Sequence, residues 1–336
     1  ADLAADIDMV VKSLDWGSEQ DPLNGSGFGV SASDAGAFPV STAQVRVLID
    51  GSVTVMTGAT EMGQGSRTAL CQIAAQELGV EFEKVSIVQA DTGTTPYERT
   101  TGASRTTVLV GLAIVRACED ALKKLREMAS EAFDVPVEQI TTAEGSVLAA
   151  GAGSRSYAEV LRAWFGARSG EVTGIGLVRP SGELEMLPPF WEVGVVGVTV
   201  SVDPDTGVVD LTHLATVGDV GFAVNPTLVE GQDLGAATQG IGAALYEELV
   251  YDGGQLENPN LVEYRIPRAA DMATVIDTMI AERGDGIGPY GAKGAGEGAL
   301  NPIGGAIAAA VGRATGRWPD QLPLTPQRVW ALMQDD

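Results

Sequence analysis

Histidine, cysteine and lysine are scarce in this 336-residue chain, and each scarcity excludes something. A single histidine, His213, disfavours a histidine-based metal site or a Ser-His-Asp triad; it sits in the strand-like run VVDLTHLATV, where ordinary packing is the expectation. The two cysteines, Cys71 and Cys118, cannot supply an iron–sulfur cluster or a disulfide framework. Both fall in segments that read as helices and are expected as buried free thiols. Lysine occurs only at Lys12, Lys84, Lys123, Lys124 and Lys293; the first four read as surface positions and Lys293 does not. Lys and Arg total 21 against 45 Asp and Glu, a net charge of -24 that argues against nucleic acid or an anionic membrane as partner. No apolar run approaches the ~20 residues of a membrane span. The opening stretch ADLAADIDMVVKSLDW has no basic region ahead of an apolar one, so no signal peptide is read and a cytoplasmic location is expected.

What is present is a 45% hydrophobic composition with 43 glycines. That hydrophobic fraction is too high for a disordered chain, and at roughly 100–200 residues per domain the length suggests two domains. Residues 1–40 read as an amphipathic helix over 1–20 followed by a Gly/Ser-rich connection. Residues 41–175 read as a first α+β subdomain. It holds a hairpin around Asp50-Gly51, a helix with Leu70, Ile73, Ala74 and Leu78 on its apolar face and Gly79 at its end, and a strand over KVSIVQA. A long loop then leads to a helix over 105–132, with Val108, Leu112, Val115, Leu122 and Leu125 expected inward. A strand–turn–strand over QITTAEGSVLAA and a helix over YAEVLRAWF follow.

Residues 176–336 read as a second α+β subdomain. Two long strands flank the DPDTG turn, and a Gly/Ala-rich helix over 227–250 starts at Asn225-Pro226, where proline's missing N–H costs nothing. Strands are expected at NPNLVEYRIP and near MATVIDTMI, and a small-residue helix at PIGGAIAAAVGRAT. The fold class is therefore α+β, in two similar halves.

Three glycine-rich segments carry the candidate chemistry. In Gly63-Gln64-Gly65-Ser66-Arg67-Thr68, glycines let amides approach an anion and the following helix offers its positive dipole end; a tight strand-to-helix turn explains the composition equally well. Thr100-Thr101-Gly102-Ala103-Ser104-Arg105-Thr106-Thr107 has more hydroxyls than a helix cap requires and suits a phosphate or a ligand rich in hydrogen-bonding atoms. In Gly291-Ala292-Lys293-Gly294-Ala295-Gly296-Glu297-Gly298, a carboxylate lies among residues with no side chains to crowd it, as suits a general base; an exposed loop glutamate is the plain alternative.

Together, GATEMGQGSRTALCQIAAQELGV, DTGTTPYERTTGASRTTVLVGLAIVRA, GDVGFAVNPTLVEGQDLGAATQGIGAALYEELVYDGGQLENPNLVEYRIP and GPYGAKGAGEGALNP resemble the C-terminal half of the molybdenum-binding large subunit of the xanthine dehydrogenase/aldehyde oxidase family. The order and spacing match over about residues 40 to 312, and the extent is similar to a medium subunit of split enzymes of the nicotinate dehydrogenase type. The resemblance implies the molybdopterin-binding fold, two α/β subdomains, and hydroxylation of a small N-heterocycle or an aldehyde with oxygen from water. It implies Glu297 as the catalytic base. Gln64, Gly65, Ser66, Arg67 and Thr68 would form the loop that holds the pterin. Gly102, Ala103, Ser104, Arg105 and Thr107 would form the loop beside metal and pterin. Gln232 and Ala103 would lie near a molybdenum that no side chain ligates directly.

The implied cofactor is molybdenum-molybdopterin in a cytosine dinucleotide form. The implied partners are a subunit with the missing N-terminal half, a [2Fe-2S] subunit and an FAD subunit. Many family members have proline after the catalytic glutamate, where this chain has Gly298-Ala299. That departure supports the alternative of a noncatalytic structural subunit of the same fold. The missing half is expected on a separate polypeptide, as in those split enzymes; a fragment of a longer chain is the alternative.

Overall fold

A computed structural model describes residues 1–18, 21–149, 151, 153–186 and 188–334. The ends expected for the first helix (Glu19 and Gln20) and for the strand–turn–strand (Ala150) lie outside the described residues. Two compact units divide the chain. The first comprises Ala1–Ser33, Trp191–Arg283 and Ala295–Asp336, and the second Asp34–Phe190 and Gly284–Gly294.

The chain opens with α1 (Leu3–Ser13), capped by the Asp2 carboxylate, and β1 (Asn24–Ala35). The segment expected as a Gly/Ser-rich connection is thus largely a strand. Its composition has a packing cause. A Cβ at Gly25, Gly27 or Gly29 would lie 2.2, 2.2 or 2.4 Å from the carbonyl oxygens of Ala310, Ala306 and Pro302. Alternate strand residues therefore sit directly on every fourth residue of a helix, and only glycine permits that approach.

In the second unit, β2 (Ser41–Leu48), β3 (Val53–Thr57) and the hairpin turn between them match the expectation. Val45, Val47, Val53 and Val55 alternate inward with no exposure. Next come α2 (Ser66–Leu78), stopped by left-handed Gly79, and β4 (Val85–Ile87). α3 (Gly111–Phe133) is preceded by a wider π-type turn over Thr106–Val110. β5 (Ile140–Ala143), β6 (Ser146–Ala149) and β7 (Gly153–Ser156) form an antiparallel sheet. α4 (Tyr157–Phe165) begins with a capping box between Ser156 and Glu159.

β8 (Glu171–Val178) completes a sheet of order β4-β3-β2-β8. The boundary expected at 175/176 falls inside this strand, which pairs with β2 along its length. Gly174 and Gly176 of β8 face α3, where a Cβ would lie 2.0 and 1.8 Å from the carbonyls of Ala117 and Ala113. The buried stripe of α3 is accordingly Ala113, Ile114, Ala117, Cys118, Ala121 and Leu125. Leu112, Val115 and Leu122, expected inward, flank it half-buried, because the closest approach to the strand takes alanine and not leucine. Cys71 and Cys118 are both free and buried, as expected.

In the first unit, β9 (Phe190–Val202) and β10 (Val209–Gly221) form the long antiparallel pair around the DPDTG turn. α5 (Pro226–Leu245) is capped by Asn225. It ends before the expected position 250, and the Gly242 carbonyl receives both Tyr246 and Glu247 amides. A short hairpin, β11 (Tyr251–Asp252) and β12 (Gln255–Leu256), precedes β13 (Val275–Glu282). The strand expected at NPNLVEYRIP is absent: the Asn258 and Asn260 side chains accept the Val250 and Val262 amides, turning the backbone away from pairing. α6 (Leu300–Thr315) and α7 (Pro326–Gln334) close the chain.

The sheet has the order β1-β9-β10-β13, with β13 parallel to β10. Val196, Val198, Val200 and Val202 point to the face covered by α5 and α6, where Ile241, Ile303 and Ile307 join them. Val195, Ala215 and Val217 point to the opposite face, covered by Val10 of α1 and by Leu14, which follows that helix. His213 is a half-buried β10 residue whose Nε2 lies 3.0 Å from Asp277 Oδ2. No helix among the described residues is long and apolar enough to cross a membrane.

Candidate functional site

In the second unit, the loop into α2 is built around Glu61. Its Oε1 accepts the Gly63 and Gly65 amides, each at 2.9 Å, and its Oε2 accepts the Arg67 amide at 3.0 Å and the Ser66 hydroxyl at 3.1 Å. Burial pulls this carboxyl up, but these four donors outweigh it and hold the group below the ordinary carboxylate range. The helix start read as an anion site is therefore filled by the chain's own carboxylate. Gly65 takes a left-handed conformation (φ 80°) at the cap, which explains a glycine there. The Gln64 amide serves the same loop: its Oε1 accepts the Met62 N–H at 2.7 Å, and its Nε2 donates to the Thr60 carbonyl at 2.9 Å. Arg67 and Thr68 are the expected loop residues left exposed.

The second loop is built around Arg105, whose side chain is wholly buried. Its guanidinium meets Glu98 at 2.7 Å and donates to the carbonyls of Val40 (2.7 Å), Phe38 (3.3 Å) and Thr100 (3.3 Å). Ser41 donates a further hydrogen bond to Glu98. Arg105 thus ties the segment leading into β2 to the loop from within. Ala103 and Ser104 both have positive φ (62° and 46°), a conformation that costs roughly 1–3 kcal/mol at each non-glycine residue. The surrounding structure over-determines it: the Ala103 carbonyl accepts the Gly36 amide at 2.9 Å. Gly102 is exposed, and Thr107 lies half-buried in the π-type turn that launches α3. The two loops come together, with Thr101 Oγ1 3.9 Å from Met62 Sδ. Lys293, nearly buried as the sequence suggests, pairs with Asp285 at 2.6 Å.

In the first unit, Glu297 is exposed on a turn ahead of α6. The turn is held by Glu192 at the start of β9, a residue that sequence reasoning missed. Glu192 is 2% exposed, and its Oε1 accepts three successive amides: Gly296 at 2.7 Å, Glu297 at 2.8 Å and Gly298 at 2.8 Å. Ser31 of β1 donates to the Gly298 carbonyl at 2.9 Å. Gly194, two residues along β9, leaves the strand bare there; a Cβ would sit 2.3 Å from that carbonyl. Gln232 lies half-buried on α5, beside Asp233, which is 3% exposed. Burial, with the charge of Glu192 second, pushes the Asp233 carboxyl up to about 7.

In the second unit, exposed side-chain donors and an uncrowded glycine could receive the phosphate and a polar edge of a pterin. Arg67 and Thr68 are exposed at the head of α2, and Gly102 is exposed, with Thr100 Oγ1 at 3.6 Å the nearest atom a side chain there would meet. Among the described residues no group of three or more His, Cys, Asp or Glu is placed to hold a metal ion.

Residues 19–273 match the molybdopterin cofactor-binding domain family, and the chain belongs to that family. It is 35% identical over 317 residues to the 6-hydroxypseudooxynicotine dehydrogenase complex subunit gamma of Paenarthrobacter nicotinovorans, covering 92% of this chain and 40% of that protein. It is 30% identical over 301 residues to the putative xanthine dehydrogenase molybdenum-binding subunit of Escherichia coli strain K12, covering 87% of this chain and 39% of that protein. Among solved structures, quinoline 2-oxidoreductase from Pseudomonas putida 86 superposes with a TM-score of 0.82 at 29% identity, over 99% of this chain and 44% of that one. The chain thus spans about two fifths of the length of these curated relatives. The family and fold class expected from the sequence are the ones found.

Proposed function

We propose that this chain is the molybdopterin-binding part of a multi-subunit molybdenum hydroxylase acting on a small N-heterocycle. The observation that carries this reading is the mount of Glu297: one buried carboxylate fixes three successive amides beneath an exposed glutamate. A solvated loop glutamate has no need of such a mount. The heterocycle is favoured by the names of three of these relatives, which mention 6-hydroxypseudooxynicotine, xanthine and quinoline.

Arg67, Thr68, Gly102 and Thr107 would hold the phosphate and the polar edges of the pterin, with Gln64, Gly65, Ser66, Ala103, Ser104 and Arg105 shaping the two loops. Gln232 would offer its amide near the metal. When bound, the molybdenum–pterin group supplies two-electron oxidation and a water-derived oxygen. Glu297 removes the proton from the attacking oxygen at its carboxylate, a contribution of ~10²–10⁴-fold for a positioned base. A [2Fe-2S] subunit and an FAD subunit would take up the electrons; Cys71 and Cys118, both free and buried, are too few to hold a cluster in this chain. A further subunit supplies the N-terminal half of the binding region, and the pterin takes the cytosine dinucleotide form.

A noncatalytic structural subunit is the second reading, favoured by Gly298-Ala299 in place of proline after Glu297. Against it, Gly298 gives its N–H to Glu192, a bond that proline cannot make. The complex purified with this chain separates the two. Molybdenum and pterin content, with dye reduction on quinoline, xanthine and 6-hydroxypseudooxynicotine, should show a metal-loaded, active assembly under the first reading. A complex lacking both metal and turnover supports the second.

A further inference from the structure

We propose that Glu192 is the positioning residue of Glu297, fixing through three consecutive main-chain amides the peptide from which the base acts. The proposal rests on the reading of Glu297 as that base. Its geometry is local to one unit: Glu192 stands at the start of β9, and its Oε1 receives the amides of Gly296, Glu297 and Gly298 at 2.7–2.8 Å. Bare strand at Gly194 lets the turn settle onto the sheet, and Ser31 of the neighbouring strand β1 holds the Gly298 carbonyl. The turn is therefore gripped on both its amide and its carbonyl side.

The choice of a charged acceptor is informative. Burying a carboxylate is unfavourable unless hydrogen bonds compensate it, and Glu192 is 2% exposed with a second acidic residue, Asp233, close enough to feel its charge. Its Oε2 accepts no hydrogen bond among the described residues, so all the compensation comes from the turn. A neutral acceptor would tie a loop down at lower electrostatic cost. A charged one makes hydrogen bonds roughly twice as strong, which suits a peptide whose side chain must be held within a fraction of an ångström of its productive position.

The test uses the assembled complex carrying Glu192→Gln, Glu192→Asp or Glu297→Gln. Glu192→Gln keeps the shape and removes the charge, and Glu192→Asp keeps the charge and withdraws it by one methylene. Hydrogen exchange on the peptide covering residues 295–299 should be about tenfold faster in both Glu192 variants and unchanged in Glu297→Gln. With turnover normalised to molybdenum content, kcat on whichever heterocycle of the panel the parent oxidises should fall roughly 10–100-fold in the Glu192 variants, with KM within about twofold. Unchanged exchange in both Glu192 variants overturns the proposal. So does faster exchange with unchanged kcat in a complex that Glu297→Gln silences. If Glu297→Gln stays active, it is the proposed function that fails, and the exchange result alone then decides whether Glu192 holds the turn. Should Glu192→Gln not assemble, Glu192→Asp carries both readouts.

Discussion

Arg105 and Glu98 form an ion pair at 2.7 Å with 0% and 2% of their side chains exposed. Burial raises the Glu98 carboxyl despite the Ser41 hydroxyl and the Arg105 charge, and burial lowers the Arg105 guanidinium. The pair therefore stands on mutual compensation, and removing one partner leaves the other buried and uncompensated. Arg105→Met and Glu98→Gln should each lose about 3–5 kcal/mol of stability. The double variant should lose clearly less than the sum. Chemical denaturation of the four proteins measures the coupling; additive losses would show that the two residues act separately.

Gln64 stitches its own loop and does not point its amide away from it. Gln64→Ala should therefore loosen the approach to α2 and lower the molybdenum content of the purified complex. KM per loaded site should change less. Metal analysis beside steady-state kinetics checks this, and full occupancy in the variant would remove Gln64 from cofactor retention.

Asp233 makes the stability of the first unit depend on pH. Its carboxyl is pushed up to about 7, first by burial and then by Glu192, against about 3.9 in an unfolded chain. A carboxyl with a raised folded value binds its proton more tightly in the native state, so its ionisation weakens the fold as pH rises from about 4 through about 7. Asp233→Asn cannot ionise. Its stability relative to the parent should rise between pH 5 and pH 8, by at most about 2.7 kcal/mol. Urea midpoints at the two pH values test the sign; an advantage that shrinks with rising pH would contradict it.

Much of the architecture is legible in the sequence because periodicity and turn chemistry agree. Asp50-Gly51, Asn225-Pro226 and Gly79 each mark an element boundary that the structure contains. The misreadings come from packing that glycine conceals. β1 looks like a linker because Gly25, Gly27 and Gly29 carry no strand signal, and their meaning lies in Pro302, Ala306 and Ala310, some 280 residues away. Gly174 and Gly176 likewise decide which face of α3 is buried. Asn258 and Asn260 defeat a strand pattern through side-chain bonds to backbone that hydropathy does not register.

The candidate site divides in the same way. The glycine-rich segments and Glu297 stand out as composition, and Arg67, Thr68 and Gly102 are found exposed. The residues that build the loops, Glu61, Glu98 and Glu192, are ordinary acids in the sequence. Only their burial against backbone amides or a guanidinium distinguishes them. Position 192, two residues before Gly194 in an apolar strand, is the single signal available: a charge where β9 otherwise runs apolar.

The most direct test is turnover by the metal-loaded complex carrying Glu297→Gln. With molybdenum and pterin contents equal to the parent's, oxidation of the heterocycle should fall by at least ~10²–10⁴-fold. Turnover at the parent's rate in that loaded variant would contradict a base at position 297.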